Sequence, residues 1–363
     1  MAQINLEQFN SAASLMTAFL RNLACLAICT VMTGIIAVAE TAANDNNQWL
    51  VDSLVLLPGR EGSFDEVAVK DPSVVFYDGK WHVFYTARSK EEYTTGYVSA
   101  ETLAGLQTAP RHELKMIRGK KRYACAPQVF YYEPQRKWYL IFQTLDSTYQ
   151  PMFSTTSTIS DPESWSAPKP LLTKDTKQKW IDFWIICDEK RAYLFYTMAH
   201  NGVMVRSTSL ADFPEGWGKA QKVFDNIHEA VHVYKAKGSG DFNMIYELEQ
   251  DGVRSFGLAT APHPEGPWKR VTDQYATGEQ LRYREESGKW TEMVSHGEVL
   301  RSGYDQNMEF DPQGCQWLIQ GITNQELKGH YDLLPWKLGL ISKIEENSEQ
   351  TPVGKARMPA PRE

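Results

Sequence analysis

Residues 70–87, KDPSVVFYDGKWHVFYTA, decide the fold that the sequence predicts. Asp71 stands at the start, and two runs rich in Val and aromatic residues follow, with the turn residues Asp78 and Gly79 between them. Runs of this length and composition are typical of β-strands, and a Gly-containing turn between them is typical of a hairpin. The stretch therefore predicts a β-hairpin with an acid at the start of its first strand.

The same plan recurs in four further stretches of the chain. They are CAPQVFYYEPQRKWYLIFQT (125–144), WIDFWIICDEKRAYLFYTM (180–198), HEAVHVYKAKGSGDFNMIYEL (228–248) and SHGEVLRSGYDQNMEFDPQGCQWLIQG (295–321). Their starts recur at about 50 to 60 residues, with further strand-like pieces between them, which is the repeat length of propeller blades. We predict an all-β, single-domain five-bladed β-propeller; a β-sandwich or β-barrel could also use such hairpins.

In a propeller, the polar residues at these strand starts lie at the same end of the central channel. The first strand of each blade lines the central channel, so the starts of all five strands open onto one end of it. We therefore expect five side chains to converge there: Asp71, Gln128, Asp182, Glu229 and His296. Neither a sandwich nor a barrel predicts this convergence.

Composition argues against several classes of function. The formal net charge is −7, and the chain has no basic stripe that could neutralise phosphates, so we expect no nucleic-acid partner. No Gly-rich phosphate loop, nucleophile elbow or zinc-type pair of helical His residues is present. Aromatic residues make up 12% of the chain and include eleven Trp, which suits either stacking on sugars or ordinary core packing.

The first residues and the last residues are expected to lie outside the folded domain. Residues 1–39 have the apolar run and the small residues of a cleaved export signal, with Met16 as an alternative start and a membrane anchor as the alternative role. We predict the propeller over 40–343 and a disordered polar tail over 344–363. The mature protein is then secreted, extracellular or periplasmic, with no stable membrane association.

The cysteines predict no disulfide framework. Removal of the leader leaves Cys125, Cys187 and Cys315, an odd number without the close spacing of a zinc site. Cys125 and Cys187 lie in apolar strand-like runs, so core packing is the better interpretation.

Three carboxylates at strand starts point to a reaction. One acid alone is usually a turn cap, but buried carboxylates are costly unless they are paired, hydrogen-bonded or functional. A pair of acids across a pocket performs glycoside hydrolysis, and a third acid can hold the proton donor protonated near neutral pH. By contrast, Glu247 and Glu249 lie near a strand end and are expected to face solvent.

The motifs KDPSVV, WIDFWIICD, HEAVHVYK and SHGE…GYDQ…DP…LIQG, in this order and spacing, resemble glycoside hydrolase family 62, the secreted α-L-arabinofuranosidases that trim arabinoxylan. The resemblance runs from about Asp52 to Ser342. It implies a five-bladed propeller and hydrolysis with inversion at the anomeric carbon. Matched motif by motif, it implies that Asp71 is the general base, Glu229 the general acid, and Asp182 the acid that tunes the pKa of Glu229.

The resemblance also implies binding residues. It places a calcium ion in the channel beneath the pocket, with His296 beside it and most other ligands supplied by water. Lys70, Tyr304 and Gln320 match positions near the arabinose site, and Gln128 is predicted to bind substrate with them. No organic cofactor is expected, and the protein is predicted to act as a monomer.

Two segments depart from the family pattern. The chain has FQTLDSTY after Ile141 where many members have a Trp that helps to bind the xylan backbone, and LIQGITN where many have YQGR. The polymer therefore stays open between arabinoxylan, arabinan and another arabinose-decorated glycan. Alternative interpretations are a non-catalytic glycan-binding propeller and a related hydrolase that acts on xylosides or arabinan.

Overall fold

Five sheets account for nearly all of the secondary structure of the chain in a computed structural model, which describes residues 47–344 except 118–122, 146–149, 174–176 and 178. The predicted leader and nearly all of the predicted tail lie outside these residues. At the edge of the tail, the backbone N–H of Ile344 still donates to the carbonyl of Gln48. No helix in the described ranges is long and apolar enough to span a membrane.

The chain forms the sheets in sequence with two exceptions, one of which is the first strand, β1 (Trp49–Leu56). The first sheet contains β2 (Ala68–Tyr77), β3 (Lys80–Arg88), β4 (Tyr93–Ala100) and β5 (Arg111–Glu113). The second contains β6 (Ala124–Tyr132), β7 (Lys137–Thr144), β8 (Met152–Thr156) and β9 (Lys169–Pro170). The third contains β10 (Trp180–Cys187), β11 (Arg191–Met198), β12 (Gly202–Ser209) and β13 (Gln221–Asp225).

The last two sheets are larger. The fourth contains β14 (Glu229–Ala236), β15 (Phe242–Gln250), β16 (Val253–Ala261) and β17 (Lys269–Ala276). The remaining strands are β18 (Leu281–Tyr283), β19 (Ser295–Val299), β20 (Glu309–Phe310), β21 (Gln316–Gly321) and β22 (Lys337–Lys343). β20 joins the fourth sheet beside β14, and the fifth sheet has the order β18-β1-β22-β21-β19. The N-terminal strand β1 thus completes the last blade and closes the ring.

Short 3₁₀ turns connect some of the strands, at Ala104–Gln107, Lys115–Ile117, Glu133–Gln135, Gly278–Gln280 and Tyr331–Leu333. The predicted hairpins are confirmed, because β2 pairs with β3, β6 with β7, β10 with β11, β14 with β15 and β19 with β21 in antiparallel register. The predicted five-bladed propeller is therefore confirmed.

Tryptophans fill the interior of the blades. The largest fully buried side chains include Trp49, Trp138, Trp165, Trp180, Trp184, Trp317 and Trp336. Burial of side chains of this size is a major part of the apolar surface removed from water on folding. Cys125, Cys187 and Cys315 are buried and free, so the predicted core packing of Cys125 and Cys187 is confirmed.

Candidate functional site

A pocket of about 500 Å³ opens where the innermost strands of the five blades begin. Every one of these strands contributes to its wall, through Asp71 of β2, Cys125 of β6, Asp182 of β10, Glu229 of β14 and His296 of β19. The three predicted catalytic carboxylates therefore line one cavity. No tryptophan is among the described residues that line it.

A β-bulge near its start directs each innermost strand toward this pocket. The pairing register of every innermost strand shifts there, for example between Lys70 and Ser73 of β2. Asp71 and Asp182 themselves have positive φ angles, of 44° and 57°. A non-glycine residue in this region costs on the order of 1–3 kcal/mol, and bulges next to active sites re-aim side chains. Asp71 and Asp182 are thus held at strained positions of their strands, whereas in the strand of Glu229 the strained residue is Ala230, with a φ of 53°.

A ring of hydrogen bonds between blades holds these bulges. The backbone N–H at each bulge donates to a side chain of a neighbouring blade: Asp71 to Gln320 (2.9 Å), Ala126 to Thr86 (2.8 Å), Asp182 to Gln143 (3.0 Å), Ala230 to Asp182 (2.9 Å) and His296 to Glu247 (2.7 Å). Buried N–H groups left without acceptors cost about 1–3 kcal/mol each. The ring therefore stabilises the bulged backbone and orients the carboxylates that it carries.

Asp182 is the buried acid of the site. Only 7% of its surface is exposed, and its Oδ2 accepts from the N–H of Ala230. Burial raises the pKa of Asp182 to about 6, aided by the negative charges of Glu229 and Asp71 and opposed by His296. Asp182 is consequently able to hold a proton at mildly acidic pH.

Glu229 has an environment that the sequence did not reveal. Its Oε1 accepts from Arg254 at 2.7 Å, while its Oε2 lies 3.3 Å from Nδ1 of His200 and 3.6 Å from Nε2 of His228. Burial acts to raise the pKa of Glu229, but His200 and Arg254 outweigh it and hold this pKa well below its ordinary value. Without substrate, Glu229 is therefore an ionised carboxylate. A proton donor whose pKa is raised by Asp182 alone would instead be protonated.

Arg254 connects Glu229 to a second acid. Its guanidinium also pairs with Glu247, which is fully buried and accepts hydrogen bonds from Ser295 and from the backbone of His296. The expectation that Glu247 faces solvent was therefore wrong, whereas Glu249 is exposed. Arg254 lies on β16, the third strand of the blade that also carries Glu229 and Glu247, and it is 25 residues from Glu229, so no local pattern marked it.

Asp71 lies against His296 and next to Lys70. Its Oδ1 is 3.4 Å from Nδ1 of His296. The Lys70 ammonium lies 3.1 Å from the Tyr331 hydroxyl and 4.5 Å from the centre of that ring, with Tyr93 also near. Burial lowers the pKa of Lys70, but Tyr331, Asp71 and Tyr93 more than compensate, so its pKa is raised and the ammonium stays charged. Tyr331 comes from the connection between β21 and β22, which carries no strand pattern.

The predicted binding residues do not all reach the pocket. Lys70 lines it. Gln320 lies behind it, where its amide oxygen accepts from Asp71 and its amide nitrogen donates to Ser295. Gln128 is buried two residues beyond its bulge, and both ends of its amide bond the backbone of Ile185 at 2.7 Å. Gln320 thus positions the strand that carries Asp71, and Gln128 joins two blades rather than contacting the cavity.

Tyr304 lies far from the pocket. Its ring packs on Tyr77 and Trp138, with centroids 4.9 and 5.7 Å apart. Tyr77 ends the strand on which Asp71 stands, six residues later, and at 3.3 Å per residue the two ends are roughly 20 Å apart. Tyr304 is therefore a packing residue at the other end of the channel, and the pocket tyrosines are Tyr93, Tyr123 and Tyr331.

His296 has few partners that could complete a calcium site. It is buried, and Nδ1 faces Asp71. The carboxylate of Glu247 is committed to Arg254 and to the backbone of His296, and that of Glu298 to Ser73 and an ion pair with Arg301. Calcium takes six to eight oxygen ligands. The described residues thus fit an ion held by His296 and otherwise by water.

The segment that departs from the family pattern borders the pocket. Leu145 lines the cavity and is 50% exposed, while residues 146–149 lie outside the described part of the chain. Elsewhere along the cavity, Leu333 is 56% exposed next to Asp332, which lines the pocket. Among the described residues, these parts of the rim thus carry aliphatic side chains and no indole.

Comparison with known proteins agrees with this site. A sequence profile described as glycosyl hydrolase family 62 matches residues 61–342. Alpha-L-arabinofuranosidase C of Cellvibrio japonicus is 33% identical over 286 residues, which are 76% of this chain and 44% of that protein. This chain therefore spans less than half the length of that relative.

Solved structures give the same result. The catalytic domain of a Coprinopsis cinerea GH62 alpha-L-arabinofuranosidase is 31% identical, with a TM-score of 0.76 over 82% of this chain and 98% of that one. A GH62 hydrolase in complex with xylotriose is 28% identical, with a TM-score of 0.74 over 81% of this chain and 97% of that one. The family predicted from the motifs is the family that the profile and these structures support.

Proposed function

The chain belongs to glycosyl hydrolase family 62, and from this premise we propose that it is an exo-acting α-L-arabinofuranosidase that removes arabinose side chains from arabinoxylan or a related hemicellulose. The observation that carries the proposal is the convergence of Asp71, Asp182 and Glu229, from three blades, on one pocket. Support for the sugar comes from the named activity of the Cellvibrio and Coprinopsis relatives. Support for a xylan backbone comes from the related structure that binds xylotriose.

In the proposed reaction, Asp71 deprotonates a water that attacks the anomeric carbon. Its backbone N–H is fixed by Gln320 and its strand by the bulge, which keeps the carboxylate on one side of the cavity. Glu229, on another blade, protonates the leaving oxygen. Inversion follows from this pairing of a base with an acid across the sugar, as the family resemblance implies.

The proton on Glu229 has to arrive with substrate. Arg254 and His200 keep Glu229 ionised in the free protein, while the pKa of Asp182 is raised to about 6. A sugar that fills the pocket excludes water, and desolvation raises the pKa of a carboxyl group. The pH profile of kcat reports the pKa values of groups in the substrate complex, and that of kcat/KM reports those of the free enzyme. We therefore expect the alkaline limb of kcat at a higher pH than the alkaline limb of kcat/KM.

The direct test is the release of arabinose by the purified protein. Wheat arabinoxylan, branched arabinan and an aryl arabinofuranoside are compared, with Asp71→Asn as the inactive variant. Loss of a general base costs about 10²–10⁴-fold in rate, and Asn also tolerates a positive φ, so folding is expected to survive. Asp78→Asn, the same change at the turn that ends β2 (φ 47°), is the matched control and should retain activity.

The outcomes separate the interpretations. Arabinose from arabinoxylan, lost only in Asp71→Asn, supports the proposal. Arabinose from arabinan alone keeps the mechanism and changes the polymer. No release of sugar by a folded protein that still binds the polymers would favour the non-catalytic propeller, and near-native turnover in Asp71→Asn would exclude that base.

Three properties complete the proposal. We infer that a structural calcium ion binds at His296 and supplies charge that helps to hold the channel together, and metal analysis of the native protein and of His296→Ala tests this. We infer secretion from the apolar leader at residues 1–39, tested by the N-terminal sequence of the exported protein. Sedimentation is expected to give a monomer.

A further inference from the structure

Two histidines stand beside the carboxylate of Glu229 without a function in the reaction proposed above. His200, His228 and Glu229 are the one group of His, Cys, Asp or Glu within the described ranges whose ligand atoms cluster in a way suited to a metal ion. The three ligand atoms lie within 4.8 Å of one another. This group is separate from His296, which faces Asp71.

The distances match those of a tetrahedral zinc site. Zn²⁺ binds imidazole nitrogen and carboxylate oxygen at about 2.0–2.1 Å, so two ligand atoms on a tetrahedron stand roughly 3.3 Å apart. Oε2 of Glu229 lies 3.3 Å from Nδ1 of His200 and 3.6 Å from Nε2 of His228. The two stacked imidazole rings have to rotate so that Nδ1 of His200 and Nε2 of His228, which lie within 4.8 Å of each other, point to one ion.

The backbone holds the two histidines in place. His200 belongs to the turn between β11 and β12, and His228 precedes β14. The N–H of Asn226 donates to the Asn201 side chain at 3.2 Å, and the N–H of Ile227 donates to the Asn201 carbonyl at 3.3 Å. The imidazoles are stacked, with ring centres 4.8 Å apart. Ligands fixed by such secondary contacts bind metals better than ligands that must be ordered first.

The two oxygens of Glu229 have different partners, which leaves one available. Oε1 is held by Arg254, and Oε2 faces the two histidines. The side chains are 32% (His200), 22% (His228) and 15% (Glu229) exposed, so an ion can reach them from solvent and keep a water as its fourth ligand. Two imidazoles and one carboxylate suit zinc and disfavour calcium, which prefers oxygen ligands.

We propose that His200, His228 and Glu229 form a Zn²⁺ site at the mouth of the pocket, and that the bound ion inhibits the hydrolase. Inhibition rests on the proposed role of Glu229, because the ion takes the oxygen, Oε2, on which the transferred proton would be carried. Lys179 opposes binding, since its ammonium lies 2.9 Å from Nε2 of His200. Its side chain is exposed and can turn away.

The test measures metal binding and activity separately on the whole protein. ZnCl₂ is titrated by calorimetry, and CoCl₂ is used as a probe because tetrahedral Co²⁺ has an intense visible absorption. We expect His200→Ala and His228→Ala each to weaken Zn²⁺ binding by at least about 10-fold. Loss of a residue that only contacts a metal ligand typically lowers metal affinity about 10–100-fold, and loss of the ligand itself should lower it at least as much. Lys179→Ala should strengthen it, and His263→Ala, at an exposed turn, should leave it unchanged.

Activity is expressed as the ratio with and without ZnCl₂ within each variant, with CaCl₂ at the same concentration as the control ion. Inhibition by zinc that both histidine variants relieve supports the proposal. Equal zinc binding in the protein and in both histidine variants, or no tetrahedral cobalt spectrum, overturns the site. Zinc binding that leaves turnover unchanged overturns the inhibition and argues against Glu229 as the acid. A protein that is inactive even without zinc argues against the proposed function, while the zinc site is still tested by metal binding.

Discussion

Asp182 makes the stability of the protein depend on pH, and Asp182→Asn isolates that dependence. The carboxyl is buried in the folded protein, where its pKa is raised to about 6 from 3.8. A shift of about two pH units corresponds to about 3 kcal/mol at 1.36 kcal/mol per unit. The folded protein binds this proton more tightly than the unfolded chain, so its contribution is full below about pH 4 and is lost as the pH rises through 6.

The variant keeps the local structure and removes the titration. The side-chain oxygen of Asn can still accept from the N–H of Ala230, and Asn tolerates the φ of 57° at this position. At pH 4 both side chains are neutral, and at pH 7 only the native one must ionise in the interior. We expect the difference in unfolding free energy, variant minus native, to grow by about 2–3 kcal/mol from pH 4 to pH 7.

Urea unfolding at pH 4, 5, 6 and 7 measures this difference, with equal m-values as the condition for comparing the two proteins. Asp241→Asn, at an exposed position, is the matched control and should give a difference that does not change with pH. If the difference in unfolding free energy for Asp182→Asn stays constant from pH 4 to pH 7 within about 0.5 kcal/mol, the reasoning that burial holds a proton on this acid is refuted. Turnover of the variant should be strongly reduced at every pH, since the site loses one of its three acids.

Two further predictions concern buried ion pairs. Arg254→Gln removes the cation between Glu229 and Glu247, so the pKa of Glu229 should rise and the alkaline limb of kcat/KM should move to higher pH. Urea unfolding should show that the unfolding free energy falls by about 3–5 kcal/mol, because two carboxylates lose their partner. An unshifted pH profile would contradict the electrostatic role of Arg254. In the channel, the Arg301 guanidinium lies 2.6 Å from Glu298, and both are almost fully buried. Glu298→Gln alone should lower the unfolding free energy by about 3–5 kcal/mol, whereas Glu298→Gln combined with Arg301→Met should recover most of that loss. Equal losses in the single and double variants would contradict the pairing.

The fold was predictable because its evidence is local. A strand's composition, the turn residues after it and the repeat of that hairpin along the chain can all be read without knowing what lies beside it. The repeat also predicted that Asp71, Asp182 and Glu229 share one end of a channel, and the pocket brings them together. Gln128 was misplaced because it was aligned two residues past the bulge, which the hairpin pattern does not reveal.

Tyr304 and Tyr331 show where the motif match failed. Both are tyrosines in connections of the fifth blade, but only Tyr331 is carried back to the mouth of the cavity, where it contacts Lys70. The course of a connection depends on the surfaces over which it packs, and these come from strands far away in the sequence. A motif therefore indicates which residue types are needed without showing which connection supplies them.

The sequence by itself determined a propeller of five hairpin repeats, the three acids at its mouth, and the family to which they belong. Only the tertiary structure decided which acid holds a proton, because it buries Asp182 and brings Arg254 from β16 and His200 from the third blade against Glu229. The pKa of a buried group is the sum of desolvation, charges and hydrogen bonds from every neighbour in space. The sequence alone does not show which groups are neighbours in space, so these pKa values are determined only when the ring of blades closes.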